Sequence, residues 1–275
     1  MLRHILSALT FALFAGPLAA QSDLPDRRIV VTNNMDFYGA DLTALFDTTF
    51  EACRTACLSN TQCQAFTYNA KSKACFPKSA VNQEVPYDGA YSARVLSTDS
   101  RVLAQAKTLQ ADLAFLGDYT LNRAHELALK VGGMHPAGTW TPEAMMQAAR
   151  DKEAEGDYLN AMRWIGATVS VTDSADDWIE YARLSLAIEQ DRNRYVNQAT
   201  QAAINGYLRG LSDGARVNAL LILADVLERD GRGRDMVKVL RLANNIQPRA
   251  DVVAALDDAA AKYGFRIIDH SADNE

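Results

Sequence analysis

CRTACLSNTQCQAFTYNAKSKACF, residues 53–76, holds all four cysteines of the 275-residue chain, at Cys53, Cys57, Cys63 and Cys75. Thiols confined to so short a window serve one local purpose, and that purpose decides how the first third of the chain folds. Cys53 and Cys57 lie in TTFEACRTACLSN (48–60), which reads as a short helix. Thr48 and Glu51 have the spacing of a capping box, in which each side chain satisfies a backbone donor left orphaned at a helix start. An i, i+4 pair shares one helical face, so both sulfurs point at whatever packs beneath. CQAFTYN (63–69) and ACFPKS (74–79) read as short strands around the turn AKSK (70–73).

What the thiols do depends on their compartment. The chain begins MLRHILSALTFALFAGPLAAQS (1–22), with Arg3 and His4 ahead of an apolar run from Ile5 to Phe14. Gly16-Pro17 then precedes the small residues Ala19-Ala20. These are the charged, apolar and cleavage regions of a secretory signal peptide, expected to span residues 1–20. The apolar run falls short of the roughly 20 residues a transmembrane helix needs. No cysteine lies beside the cleavage position, so no lipid anchor is expected there. The expected location is periplasmic or secreted, where disulfides form. Structural zinc sites pair their ligands in tight knuckles. Here the second pair is split across a turn, and C-x-x-C is absent, so neither zinc nor a redox dithiol fits. Two structural disulfides remain, in any of three connectivities.

A formal net charge of -6 and a pI near 5.3 argue against nucleic acid and anionic membrane as partners. The 48% hydrophobic and 23% charged residues suit a globular chain, and a change of texture near Ser97 divides it in two.

NNMDFYGADL (33–42), the helix with two cysteines, CQAFTYN and CFPKS together resemble the PAN/apple domain, over roughly Arg28 to Val95. The resemblance implies a helix packed on an antiparallel sheet, placed at residues 28–96. It implies the pairing Cys53–Cys75 and Cys57–Cys63, and a role in binding a protein or carbohydrate partner. The additional disulfide of larger apple domains has no cysteines here. Phe37, Tyr38, Phe66, Tyr68, Phe76, Tyr87 and Tyr91 are the aromatic side chains that such a surface could draw on. Alternation along short strands assigns Phe37, Phe66 and Phe76 to the core and leaves the tyrosines open.

From Ser100 to Tyr263 alanine and leucine dominate, at three- and four-residue spacings. Gly117-Asp118, VGGMHPAG (131–138), EGDY (155–158), TDSADD (172–177), EQDRN (189–193), LSDG (211–214), DGRGRD (230–235) and QPRAD (247–251) divide this into about eight helices. One stretch fits the tetratricopeptide frame, with Leu220, Leu223, Ala224 and Leu227, the turn at Gly231, Met236, Leu240 and Ala243, and a closing Pro248. Gly156, Tyr158, Ala161 and Ile165 form a weaker copy, and Asp177 to Gly210 is helical but out of register. The expected fold class is thus α+β: a stapled PAN/apple domain, then a TPR-like array over residues 100–264. In the clear copy the concave face would carry Asn218, Asp225, Glu228 and Arg229.

No catalytic fingerprint appears. The four histidines, His4, His125, His135 and His270, have no partnered nucleophile or ligand set. The carboxylate pairs Asp176-Asp177 and Asp257-Asp258 read as solvated helix edges. No enzyme activity, catalytic residue, metal or cofactor is expected. The order of leader, PAN module and helical array, ending in YGFRIIDHSADNE (263–275), resembles the N-terminal region of bacterial alpha-2-macroglobulin-like proteins. The resemblance implies a binding and positioning role, not inhibition itself, which needs macroglobulin domains and, in some members, a thioester cysteine. The alternative is a stand-alone carbohydrate- or cell-wall-binding scaffold. The strand-like GFRIID opens a tail, 265–275, expected to pack loosely, and the polar LSTDS (96–100) reads as a cleavable linker.

Overall fold

The computed structural model describes residues 24–131 and 141–264. The expected leader (1–20), the GGMHPAG loop (132–138) and the tail from 265 lie outside the described residues.

The first unit is a three-stranded sheet, in the order β1-β3-β2, with one helix against it. Strand β1 (Arg27–Asp41) runs antiparallel to β3 (Ala74–Ser97), from Arg27 opposite Ser97 to Asp41 opposite Lys78. The ladder is interrupted at Asn34, which adopts a left-handed φ of 55° and accepts the Gly89 N–H at 3.2 Å. Strand β2 (Ala65–Asn69) lies between two stretches of β3: Ala65 stands opposite Lys78 and Arg94, Asn69 opposite Ala74 and Ala90. Partner numbers fall as β2 numbers rise, so both pairings are antiparallel. One strand pairing on both sides with a bent neighbour curls the sheet on itself. Phe37 sits inside the curl, fully buried. Its N–H donates to the Thr67 hydroxyl at 3.0 Å and the Ser92 hydroxyl at 3.2 Å, and those hydroxyls lie 2.6 Å apart. Each buried polar group there has a partner, as a dry site requires.

Helix α1 (Phe50–Ser59) covers the opposite face, burying Cys53 and Cys57 against Ile29, Val31, Phe66, Cys63, Cys75 and Ala93. Its cap corrects the expectation from sequence. Thr49, not Thr48, accepts the Ala52 N–H. The Thr48 backbone is committed to the hairpin instead, donating to the Lys73 carbonyl at 3.0 Å and accepting from the Tyr68 hydroxyl at 3.2 Å. At the other end Arg27 donates to the carbonyls of Leu58, Asn60 and Cys63, satisfying acceptors that a helix C-terminus leaves open.

The second unit is helical: α2 (Ser100–Asp112), a short 3-10 turn (Ala114–Leu116), α3 (Asp118–Val131), α4 (Pro142–Ala154), α5 (Tyr158–Thr172), α6 (Ala175–Ala187), α7 (Arg192–Arg209), α8 (Asp213–Arg229), α9 (Gly233–Ile246) and α10 (Ala250–Tyr263). Nine α-helices after Ser100 are thus seen among the described residues, against about eight expected. From α4 to α10 each packs on its sequence neighbour. The α8–α9 pair buries the helical positions of the clear repeat frame, Leu220, Leu223, Ala224, Leu227, Met236, Leu240 and Ala243, while Gly231 at φ 73° in the turn and the closing Pro248 are exposed. The α4–α5 pair does the same for Ala161 and Ile165 around Gly156 at φ 77°.

Residues 177–210 break the repeat register for a physical reason. Helix α7 packs against α2, α3, α6 and α8, and from Ala202 to Arg209 every side chain is buried. A helix enclosed on all sides has no solvent stripe to give periodicity. Nor is LSTDS an open linker: the Thr98 N–H donates to Asp26 O at 2.9 Å and its hydroxyl to Pro25 O at 2.7 Å, while Asp99 caps α2. Leu24, just upstream, packs into the helical core.

Candidate functional site

In the structure Cys53 is bonded to Cys75 and Cys57 to Cys63, with Cα separations of 5.6 and 5.3 Å. All four are buried and no free cysteine remains. They hold α1 on the sheet and offer no reactive sulfur to a substrate.

The aromatic side chains divide between core and surface. Phe37 and Phe66 are buried, as alternation implies, but Phe76 is only half-buried and forms an edge-on pair with Phe46 at 6.4 Å. Phe76 faces away from α1, because its neighbour Cys75 faces toward it and strand side chains alternate. Phe46, 69% exposed, was not among the sequence candidates, since it sits in the loop after β1 where no period marks it. The tyrosines go outward: Tyr38, Tyr87 and Tyr91 are exposed and Tyr68 half-buried. Phe50 gathers two of them, at 6.1 Å from Tyr68 and 6.3 Å from Tyr91. Lys71 bridges the β2–β3 turn to the β3 bulge through Asp88 at 3.0 Å and lies 5.9 Å from the Tyr87 ring. Exposed rings with polar tips, on a rigid stapled sheet, can stack on a sugar face or fill pockets on a protein partner.

The second notable site lies where the two units meet, around Arg28 of β1. Its guanidinium donates to Ser97 O at 3.0 Å and to Val171 O, at the end of α5, also at 3.0 Å. Behind it Asp173, left-handed at φ 51°, accepts from Arg209 Nε at 2.5 Å and from Trp178 Nε1 at 3.1 Å. Arg209 also donates to Asn205 Oδ1 at 2.7 Å and stacks 5.3 Å from the Trp178 ring. Asn205 in turn donates to the Ala124 carbonyl of α3 at 2.8 Å. Burial dominates in pulling the Arg28 pKa below its ordinary value, Asp173 opposes it, and Arg209 adds to it. None of these residues stood out in the sequence, because the partners lie 36 and 143 positions apart.

The sequence candidates on the array are used structurally. Asn218 accepts from Arg249, Asp225 pairs with Arg229, and Glu228 pairs with Lys262. Asp177 is not a solvated edge residue: it is buried and accepts from the Ser174 and Thr172 hydroxyls, closing the α6 cap. His125 lies in α3, half-buried, and the other three histidines lie outside the described residues. Among the described residues no cluster of His, Cys, Asp and Glu could hold a metal ion, and no helix is long and apolar enough to cross a membrane.

No curated protein matches the chain. Residues 28–103 match the family model described as the PAN domain, from the start of β1 into the first turn of α2. The N-terminal part of this protein is therefore a PAN domain, a module that binds protein or carbohydrate, and a helical region follows it.

Proposed function

We propose that the protein is an exported, non-enzymatic binding protein. Its PAN domain, over residues 28–96, takes a protein ligand through its exposed aromatic rings, Phe46, Tyr87 and Tyr91 among them, and the helical region from residue 100 serves as its scaffold. The observation that carries this reading is the exposure of several large aromatic rings on a domain whose family role is binding. Export is supported by two disulfides, which persist in oxidising compartments, and by the leader-like first twenty residues. The order of PAN module and helical array supports the finer reading, a periplasmic protein related to the N-terminal region of alpha-2-macroglobulin-like protease traps. On that reading this chain supplies binding and positioning, with no cofactor or metal. A stand-alone scaffold for carbohydrate or cell wall is the alternative, favoured by the group of half-buried Phe50 and Tyr68 with exposed Tyr91, whose rings suit a sugar face.

The test immobilises the mature chain beside a variant carrying Phe46→Ala, Tyr87→Ala and Tyr91→Ala. Both are challenged with periplasmic extract and with purified peptidoglycan fragments. Retention of a discrete protein by the parent but not the variant supports the first reading. Retention of glycan alone, again lost in the variant, supports the alternative. Equal retention by both chains refutes the exposed aromatic rings as the site.

A further inference from the structure

Between α1 of the PAN domain and α3 of the helical region opens a cleft of about 340 Å³. Its walls include Arg28 and Ile29 from β1, Arg54, Thr55 and Leu58 from α1, and Leu129 from α3. The size sits at the low end for ligand pockets, and the junction of two units is where such pockets often form. Its chemistry is one-sided. Three of those residues are aliphatic and two are arginines, and among the described residues no carboxylate lines it.

The arginines are incompletely neutralised. Asp173 is committed to Arg209, and its nearer oxygen stands 3.7 Å from Arg28 Nη1, beyond hydrogen-bond length. A single buried carboxylate thus faces two guanidiniums whose side chains are 11% and 2% exposed. The Arg28 Nε is buried without a hydrogen-bond partner. Arg54 pairs with Glu51 through Nη2 at 2.7 Å, and Glu51 is largely exposed. Excess positive charge beside low-dielectric walls focuses the field into a cleft, and a guanidinium matches the planar geometry of a carboxylate.

We propose that this cleft binds a small amphipathic anion, a carboxylate or sulfate borne on an apolar body. The anionic group lies against Arg54 in the field of Arg28, and the apolar body lies against Ile29, Leu58 and Leu129. A fatty-acid-like chain and the C-terminal residue of an apolar peptide share this chemistry. The site is distinct from the exposed aromatic rings, and its occupancy does not depend on what they bind.

The experiment is calorimetric titration of the full mature chain with octanoate and with N-acetyl-leucine, alongside neutral octanol and acetate as controls. One or both amphipathic anions bind saturably, more weakly at higher salt, while octanol and acetate bind at least about tenfold less well. Arg54→Gln weakens the anions about tenfold, and Glu51→Gln, which frees Arg54, tightens them. Both positions lie outside the packed core, and unchanged thermal unfolding shows that the fold is kept. Preference for octanoate assigns a lipid-type ligand and preference for N-acetyl-leucine a peptide terminus. Octanol binding as tightly as octanoate, an unaffected Arg54→Gln variant, or no saturable binding of either anion overturns the proposal.

Discussion

Arg28, in the first strand of the PAN domain, donates a hydrogen bond to the carbonyl of Val171, 143 residues later at the end of α5. That bond, with the Asp173 carboxylate behind it, means that the sheet and the helical array meet through a buried polar contact and not through a bare linker. A buried charge left without its partner costs far more than a surface pair is worth.

Asp173→Asn isolates this effect, because asparagine tolerates the left-handed backbone that position 173 requires. The variant leaves Arg28 and Arg209 buried with no counter-charge, and the expected loss is about 3–5 kcal/mol. Denaturant unfolding followed by circular dichroism reads it, with the exposed Asp251→Asn as a control expected to cost less than about 0.5 kcal/mol. A loss below about 1 kcal/mol at Asp173 would show that the two cations are neutralised in another way.

The two disulfides close loops of very different length, with sequence separations of 22 and 6. On the chain-entropy model, replacing Cys53 and Cys75 by alanine costs about 3 kcal/mol, and replacing Cys57 and Cys63 about 2 kcal/mol. Non-reducing peptide mapping should recover these two linked pairs and no Cys53–Cys57 link. Full reduction should melt the PAN domain first, a loss visible as separate early unfolding ahead of the helical signal.

Burial, and secondarily Arg209, hold the His125 imidazole below its ordinary pKa, with Glu126 opposing. Its Nδ1 has no hydrogen-bond partner that would favour the charged form. The unfolded chain takes up this proton near pH 6.5, the folded chain only at lower pH. In between the unfolded state binds more protons, so stability falls as the pH drops through the folded-state pKa. The melting temperature should therefore decline on acidification from about pH 7.5 to 5.5, and His125→Gln should flatten that decline. An identical pH dependence in the variant would remove His125 from the account.

Gly39 lies on β1 at a register shift, where an added Cβ would come within 1.9 Å of the Ala80 carbonyl oxygen. The obstacle is backbone, so it cannot swing aside, and Gly39→Ala should destabilise the PAN domain by at least about 1–3 kcal/mol. Gly214→Ala is the contrasting control, with its nearest neighbour 4.0 Å away and a helix around it. Circular dichroism melts of the two variants settle the comparison.

Local chemistry made much of this molecule legible. Clustered cysteines, alternating aromatics and turn residues placed the stapled sheet, and the three- and four-residue spacing placed the helices. Breaks such as Gly156 and Gly231 fell at turns because a left-handed φ favours glycine wherever it occurs. These signals are short-range, so sequence carries them directly.

Long-range geometry decided the rest. That β2 sits between two stretches of one bent strand follows from closing the sheet around Phe37, which no local pattern encodes. The burial of α7 from Ala202 to Arg209 on every side left that stretch readable as helix but out of the repeat register. Arg28, Asp173 and Arg209 look like ordinary charges in sequence, and only the folded chain brings them together. By itself the sequence determined the two building units and the cysteines that staple the first. The tertiary structure alone decided how they join and which rings stay exposed, because burial and charge pairing depend on neighbours distant along the chain.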